Sequence, residues 1–233
     1  MMAARVAMVS GASRGLGLAV AHRLASAGWR LSLGVRNPER LKGDVPGGDN
    51  SIVCTYDALQ RDSAQHWVDS TIERFGRVDA VVNNAGTGLK YALTDEDETA
   101  LDTLLEVNLK GPLRVTRAAL PHLIASGQGR VINVSSLSGK RINHANVGYA
   151  MTKHALMALT HATRRIAWDE GVRATALCPS YIDTDFNEGV TAISKDEMIQ
   201  PDDLAEAVLH LASAPQTFSV AELLVNCRLE DTL

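Results

Sequence analysis

A tyrosine and a lysine stand four residues apart in the second half of the chain. Tyr149 and Lys153 have the spacing of neighbours on one face of an α-helix, so both side chains can reach one ligand. A free phenol has a pKa of about 10, and a nearby ammonium group lowers that pKa by stabilising the phenolate. Such a phenol can exchange a proton with an oxygen on which negative charge develops, as happens when a carbonyl is reduced. The pair alone is common on helix surfaces, so its weight depends on its context.

A serine completes this group of candidate proton-transfer residues. Ser136 lies thirteen residues before Tyr149 and directly after an apolar run that predicts a strand. Open parallel sheets bind their ligands in the crevice beyond the carboxyl ends of the strands. We therefore expect Ser136 to orient a substrate oxygen, Tyr149 to donate the proton and Lys153 to adjust the acidity of Tyr149.

A glycine-rich turn provides the second chemical signal. Gly11, Gly15 and Gly17 lie between the first predicted strand and the first predicted helix. Glycines there permit a sharp turn and a close approach of the backbone to a pyrophosphate, and the helix N-terminus offers N–H groups and a positive dipole. An ordinary tight turn is the alternative, but the position at the start of an alternating strand–helix pattern favours a dinucleotide.

The end of the second predicted strand indicates which dinucleotide is expected. NAD sites usually place an acidic residue there to bind the ribose hydroxyls, whereas this chain reads Gly34-Val35-Arg36-Asn37 and has its first acid at Glu39. Arg36 would attract a 2′-phosphate and can bind two of its oxygens. Arg14, inside the glycine-rich turn, can add a second cation. The sequence thus favours NADP(H) over NAD(H), with solvated arginines as the alternative.

Short β-rich runs alternate with longer helical runs along the chain. The predicted strands cover residues 6–9, 31–35, 51–55, 80–83, 130–134, 173–177 and 222–225. The predicted helices cover residues 15–27, 64–75, 98–124, 147–169 and 202–212, with a kink at Gly111-Pro112 in the third. This alternation predicts βαβ units in a parallel sheet covered by helices on both faces. No linker or repeat interrupts it, so residues 1–233 are expected to form one domain.

Composition excludes several other classes of protein. The 233 residues carry a net charge of -4 without a basic run, which argues against nucleic acid as a partner. No signal-peptide core and no stretch of 18 apolar residues is found, so we expect a cytoplasmic protein without a membrane partner. The three cysteines are widely spaced, which argues against a disulfide framework and against a metal site.

Motifs along most of the chain occur in an order typical of one family. They are the turn with Gly11, Gly15 and Gly17; Asp57 after the third strand; Asn83-Asn84-Ala85-Gly86 after the fourth; Asn108; Ser135-Ser136 after the fifth; Tyr149-x-x-x-Lys153; and Pro179-x-x-x-x-Thr184 after the sixth. With this order and spacing the sequence resembles the short-chain dehydrogenase/reductase family. The ending after Val220 is similar to that of NADP-preferring, carbonyl-reductase-like members.

The resemblance implies a Rossmann-type, doubly wound α/β fold with about seven strands in the order 3-2-1-4-5-6-7. It also implies a homodimer or homotetramer in which the helices over residues 98–124 and 147–169 pair between subunits, as apolar residues such as Leu156, Leu159 and Ile166 suggest. Three departures from the family pattern are Ser10 for the usual Thr, Ser180 for the Gly that commonly follows Pro179, and a tail, Val220 to Leu233, without the Asp-Gly-Gly ending of many members.

Roles for individual residues also follow from the resemblance. Asn108, Ser136, Tyr149 and Lys153 are the implied catalytic residues, Asn108 holding a water that relays protons through Lys153. Asp57 is expected to bind the adenine amine, while Ile182 and Thr184 contact the nicotinamide carboxamide. The implied cofactor-binding residues are Gly11, Ser13, Arg14, Gly15, Leu16, Gly17, Arg36, Asp57, Asn84, Ala85, Gly86, Tyr149, Lys153, Pro179, Ile182 and Thr184.

The function expected from these features is the reversible reduction of a small ketone or aldehyde to an alcohol with NADP(H). An NAD-linked alcohol dehydrogenase of the same fold stays open. A non-catalytic NADP-binding module is the other alternative, although such proteins typically lose the tyrosine or the lysine. Substrate identity cannot be read from the chain, because the pocket would be shaped by variable loops: residues 87–93, residues 137–147 with His144, and a substrate loop at about 181–200.

Overall fold

Seven strands form a single parallel sheet in this computed structural model, which describes residues 4–41, 45–142 and 145–229. The strands are β1 (Val6–Ser10), β2 (Arg30–Val35), β3 (Ser51–Thr55), β4 (Ala80–Asn83), β5 (Arg130–Val134), β6 (Arg173–Pro179) and β7 (Glu222–Val225). Their order is β3-β2-β1-β4-β5-β6-β7, and every pairing is parallel. The predicted doubly wound fold is confirmed.

Helices cover both faces of the sheet. They are α1 (Gly15–Ser26), α2 (Ser63–Phe75), α3 (Thr99–Leu105), α4 (Gly111–Ala125), α5 (Val147–Ala167) and α6 (Pro201–Ser213). Side chains of β1 alternate between the two cores that result: Val9 packs in the core that contains residues of α1 and α6, whereas Met8 packs in the core that contains residues of α2 and α4. Such burial on both faces explains why the strands read as continuous apolar runs.

The helical stretch predicted for residues 98–124 is interrupted in a different way from the expected kink. A wide π-helical turn over Glu106–Lys110 separates α3 from α4, and Pro112 stands in the first turn of α4. Pro112 has no N–H to donate to the carbonyl of Asn108, which favours the wider turn. Gly111 allows a close approach, because a Cβ there would lie 2.9 Å from the Cβ of Ala58. The turn brings Asn108 into the interior.

Candidate active site

The residues singled out by the sequence come together at the carboxyl edge of the sheet. Asn84, which follows β4, donates from Nδ2 to the carbonyl of Ser10 at 3.0 Å, and its backbone N–H donates to Ser10 Oγ at 3.0 Å. The hydroxyl of Ser10, where threonine is more usual, thus ties β1 to the segment after β4. Ser136 follows β5 at the same edge, as expected for a ligand crevice of this fold.

Tyr149 lies in the first turn of α5, and Asn146 caps that turn. Asn146 Oδ1 accepts from the backbone N–H of Tyr149 at 3.5 Å and from that of Tyr91 at 3.0 Å. Its Nδ2 donates to the carbonyl of Leu89 at 3.0 Å. An asparagine is a favoured N-cap because its oxygen satisfies an otherwise unpaired N–H. The segment after β4 is therefore joined to the helix turn that carries the phenol.

Lys153 follows Tyr149 by one helical turn and is only 6% exposed. Its Nζ donates to the carbonyl of Val134 at 2.8 Å and lies 5.5 Å from the centre of the Tyr149 ring. Burial disfavours the charged amine and lowers the pKa of Lys153 to about 8. The predicted pairing of phenol and ammonium on one helix face is present.

The pKa of Tyr149 shifts in the opposite direction from the one expected from the sequence. Desolvation of the phenol by the surrounding protein raises its pKa to about 12, and a hydrogen bond with the side chain of Ser136 only partly opposes this. The prediction of a lowered pKa is therefore wrong for this structure, because desolvation of the phenol outweighs the effects that stabilise the phenolate. A phenol with this pKa is protonated at neutral pH, which is the state from which a general acid acts.

Asn108 is buried, and its amide group is bound by protein atoms. Oδ1 accepts from the N–H of Thr87 at 2.8 Å, while Nδ2 donates to the carbonyl of Thr87 at 2.9 Å and to Thr152 Oγ1 at 3.2 Å. Next to Thr87, a Cβ at Gly86 would lie 4.0 Å from the Nζ of Lys153. Asn108 thus holds the segment after β4 beside Lys153, and its role in a water relay stays a prediction.

The glycine-rich turn has the shape that an anion-binding backbone requires. Gly11 and Gly15 have positive φ angles of 68° and 52°, and a Cβ at Gly17 would clash with the carbonyl of Gly11. Helix α1, which is described over its whole length, begins at Gly15 without a side-chain cap and without an acidic residue in its first turn. Its first N–H groups and its dipole suit a phosphate group. The turn fits a dinucleotide cofactor.

The two candidate phosphate ligands differ in their surroundings. Arg36 is exposed directly after β2. Arg14 is also exposed, and its Nη1 lies 2.9 Å from Asp185 Oδ2, a carboxylate of the loop that follows β6. Both cations remain in solvent, as a site for a phosphate requires, but Arg14 already has an acidic partner.

The loop after β6 folds back toward the glycine-rich turn. Ile182 forms an isolated parallel bridge with Ile199, and the methyl group of Thr184 lies 3.1 Å from the position of a Cβ at Gly15. Pro179 ends β6.

Asp57, on the opposite side of β1, follows β3 by two residues and accepts from the N–H of Leu59 at 3.1 Å. Of the remaining predicted residues, Leu16 is buried, whereas Ser13 and Ala85 are half-buried.

Three residues near the phenol lie in the predicted pocket loops but were not singled out by the sequence analysis. Phe186 approaches the Tyr149 ring with a centroid distance of 6.0 Å, and Gly88 contacts Phe186. Neither residue lies in a recognisable motif. Asn146 had a usable signal, as an asparagine immediately before a helical pattern. His144, a predicted pocket residue, lies outside the described residues.

Two further expectations concern metals and membranes. Over residues 4–41, 45–142 and 145–229, no three His, Cys, Asp or Glu side chains are grouped so that they could hold a metal ion. Within the same part of the chain, no helix combines the length and apolar character needed to span a lipid bilayer.

Known proteins match both the sequence and this geometry. The short chain dehydrogenase family matches residues 5–194. Agropine synthesis reductase from Rhizobium rhizogenes is 39% identical over 227 residues, which are 97% of this chain and 53% of that protein. An uncharacterized oxidoreductase from Staphylococcus epidermidis is 32% identical over 95% of this chain and 96% of its own length. An alcohol dehydrogenase from Thermococcus sibiricus, complexed with 5-hydroxy-NADP, is 32% identical with a TM-score of 0.84 over 95% of each chain.

The fold, the site and these matches together define the class. The chain belongs to the short-chain dehydrogenase family. It spans about half the length of the agropine synthesis reductases that it matches.

The buried amine of Lys153 leads to a prediction about stability. Its pKa of about 8 in the folded protein lies below the ordinary value of 10.5. Between these values the unfolded chain binds a proton that the folded chain lacks, so the free energy of unfolding rises with pH. We expect the stability of Lys153→Met relative to the wild type to fall by roughly 2 kcal/mol from about pH 7 to about pH 9.5, measured by urea denaturation.

Lys90→Met serves as the control, because Lys90 is exposed. Its stability difference from the wild type should be the same at both pH values. A Lys153→Met difference that is equally independent of pH would show that Lys153 titrates as in an unfolded chain.

Proposed function

We propose that the protein catalyses the reversible reduction of a ketone or aldehyde to an alcohol with NADPH, and that Tyr149 is the acid and base. The observation that carries this proposal is the half-buried phenol of Tyr149, which is hydrogen-bonded with Ser136 and whose ring centre lies 5.5 Å from Nζ of the buried Lys153. These groups stand at the sheet edge that also carries the glycine-rich turn. A general acid placed in this way typically contributes about 10² to 10⁴ in rate.

Each polar group has one task in the proposed reaction. The nicotinamide cofactor supplies the hydride when it is bound. Ser136 holds the carbonyl oxygen of the substrate, and Tyr149 donates its proton to that oxygen as negative charge develops there. Lys153 stabilises the phenolate that remains and binds the nicotinamide ribose. Asn108 holds a water through which Lys153 returns a proton to the phenolate.

The proposed cofactor site extends from the glycine-rich turn to the loop after β6. The pyrophosphate would lie at the N-terminus of α1, where Gly11, Gly15 and Gly17 let the backbone approach it. Further proposed contacts are made by Ser13, Leu16, Asp57, Asn84, Ala85, Gly86, Pro179, Ile182 and Thr184. Asp57 would bind the adenine amine, and Ile182 and Thr184 the nicotinamide carboxamide.

NADP(H) is the proposed cofactor because the end of β2 has a cation and no acid. Arg36 would meet the 2′-phosphate, where the carboxylate of an NAD site would repel it. The alcohol dehydrogenase from Thermococcus sibiricus supports this choice, since it is complexed with an NADP analogue. One observation favours the alternative of an NAD-linked enzyme: Asp185 neutralises Arg14.

A homodimer or homotetramer in the cytoplasm is also proposed. The side chain of Ile166, near the end of α5, is 74% exposed, and Trp168 just beyond is partly exposed, which suits contact with a second subunit. Leu156 cannot take part in such a contact, because it is buried inside the protomer. Helix α5 would therefore contribute only its outward face to the pairing with the helical stretch over residues 98–124.

Removal of the phenol hydroxyl should abolish turnover. We expect Tyr149→Phe to lower kcat at least about 10³-fold, while the dissociation constant for NADPH stays within about threefold, because the ring itself remains. NADPH oxidation with a panel of ketones and aldehydes measures the first quantity, and fluorescence titration measures the second. Tyr56→Phe, which removes the hydroxyl of a tyrosine packed against Trp67, should keep full turnover. Turnover near the wild-type rate in Tyr149→Phe would refute the assignment.

Charge reversal after β2 tests the cofactor preference. We expect Arg36→Asp to raise the dissociation constant for NADPH roughly 10-fold to 100-fold, as loss of a charge-assisted hydrogen bond does, and to leave that for NADH within about threefold. Arg117→Asp changes the net charge equally at an exposed position of α4 and should alter neither. Equal weakening of both cofactors by Arg36→Asp would contradict the preference for NADP(H).

Release of Arg14 from its acidic partner should strengthen NADPH binding. Exposed ion pairs contribute about 0.2–1 kcal/mol, so Asp185→Asn is expected to tighten NADPH by no more than about fivefold and to leave NADH unchanged. In an Arg14→Ala background the same substitution should have no effect. Tightening that persists without Arg14 would show that Asp185 acts on the cofactor in another way.

A further inference from the structure

Phe186 is a large apolar side chain that is half exposed to solvent beside the catalytic tyrosine. It is 51% exposed, and its ring centre lies 6.0 Å from that of Tyr149 with an angle of 49° between the planes. This distance is in the range of interacting aromatic pairs. One face of Phe186 is thus turned to the protein, and about half of the side chain remains available for contact.

Gly88 determines where the Phe186 ring can lie. A Cβ at position 88 would stand 2.8 Å from Cζ and 3.1 Å from Cε1 of Phe186. Gly88 is not among the glycines with a positive φ angle, so a side chain at this position would displace the Phe186 ring without straining the backbone. The ring therefore rests on the backbone of the segment that follows β4.

The backbone around Phe186 is held by its neighbours. Asn187 donates from Nδ2 to the carbonyl of Ile182 at 2.7 Å, and Asp183 donates from its backbone N–H to the carbonyl of Ile199 at 3.0 Å. The charge that immediately precedes the ring is Asp185, which Arg14 neutralises at 2.9 Å. The ring thus offers an apolar surface in a defined place and without an adjacent unpaired carboxylate.

We propose that Phe186 contacts the substrate and determines its specificity, and that the preferred substrate carries a flat apolar substituent, such as an aryl group, next to its carbonyl. This inference rests on the proposed carbonyl reduction. A carbonyl oxygen bound to Tyr149 places the substituent on the carbonyl carbon within reach of Phe186, where a flat ring can stack or meet it edge to face. A polyhydroxylated substituent would lose hydration against the same ring and is disfavoured.

A set of matched ketones tests the substrate class. Acetophenone, cyclohexyl methyl ketone, 2-butanone and fructose differ in flatness, size and polarity and are compared by kcat/KM with saturating NADPH. We expect acetophenone to exceed fructose by at least about tenfold and to exceed cyclohexyl methyl ketone by about threefold or more, as aromatic pairing adds to area burial. Fructose as the best substrate would overturn the inference while leaving the proposed reduction intact. No reduction of any carbonyl would instead refute the proposed function.

Substitution of Phe186 assigns the specificity to this residue. Phe186→Ala should lower kcat/KM for acetophenone about tenfold, mainly through KM, and change that for 2-butanone by less than about threefold. Phe186→Leu should lower the preference for acetophenone over cyclohexyl methyl ketone. Phe218→Ala removes another half-exposed phenylalanine, which contacts His210 in α6, and should change neither ratio. Equal losses for all ketones in Phe186→Ala would reduce Phe186 to a structural role.

The contact with Gly88 gives an independent test of the ring position. Gly88→Ala should displace the ring and lower kcat/KM for acetophenone by a factor close to that of Phe186→Ala. In the double variant Gly88→Ala/Phe186→Ala the new methyl group has no ring to displace, so the loss should not exceed that of Phe186→Ala alone. Multiplied losses in the double variant would show that Gly88 acts on the reaction without Phe186.

Discussion

The site depends on one physical constraint, which is the desolvation of two groups one helical turn apart: the phenol of Tyr149 and the amine of Lys153. Desolvation raises the pKa of Tyr149 to about 12 and lowers that of Lys153 to about 8. The opposite directions have one cause, because burial always disfavours the charged form of a group. At neutral pH the phenol therefore keeps its proton and the amine most of its charge, which is the pair of states that a proton donor and its stabilising cation need.

Polar contacts between α5 and the sheet hold in place the helix that carries both reactive groups. In the interior, Asn83 of β4 donates to Asn133 of β5 at 2.8 Å and to Thr116 of α4 at 3.1 Å, and Asn133 donates to Thr160 of α5 at 2.8 Å. Above them, Ser135 donates from Oγ to the carbonyl of Lys153 at 3.2 Å. Because buried polar groups must find partners, these bonds favour one position of α5 relative to the sheet. The burial of Lys153 beside the half-buried Tyr149 follows from that position.

Sequence patterns predicted the features that depend on local chemistry. The strands, the glycine-rich turn and the spacing of Tyr149 and Lys153 could be read directly, because apolar runs and turn residues act over a few neighbours. The wide turn at Glu106–Lys110 was not predicted, although the sequence contains Pro112, whose missing N–H favours such a turn. The pKa of Tyr149 could not be read, since desolvation depends on atoms from distant segments. Phe186 was predicted only as part of the substrate loop at about 181–200, and its place could not be read for the same reason: nothing in its neighbours indicates that the ring meets Gly88.

Three consecutive residues after β6 connect the two halves of the site. Thr184 packs beside Gly15, Asp185 pairs with Arg14, and Phe186 rests on Gly88 next to Tyr149. The first two contacts reach the glycine-rich turn, and the third reaches the phenol. Since the three residues span a single short turn of backbone, none can move far without the others. A cofactor that displaced Asp185 from Arg14 would therefore also act on the ring against which the proposed substrate lies.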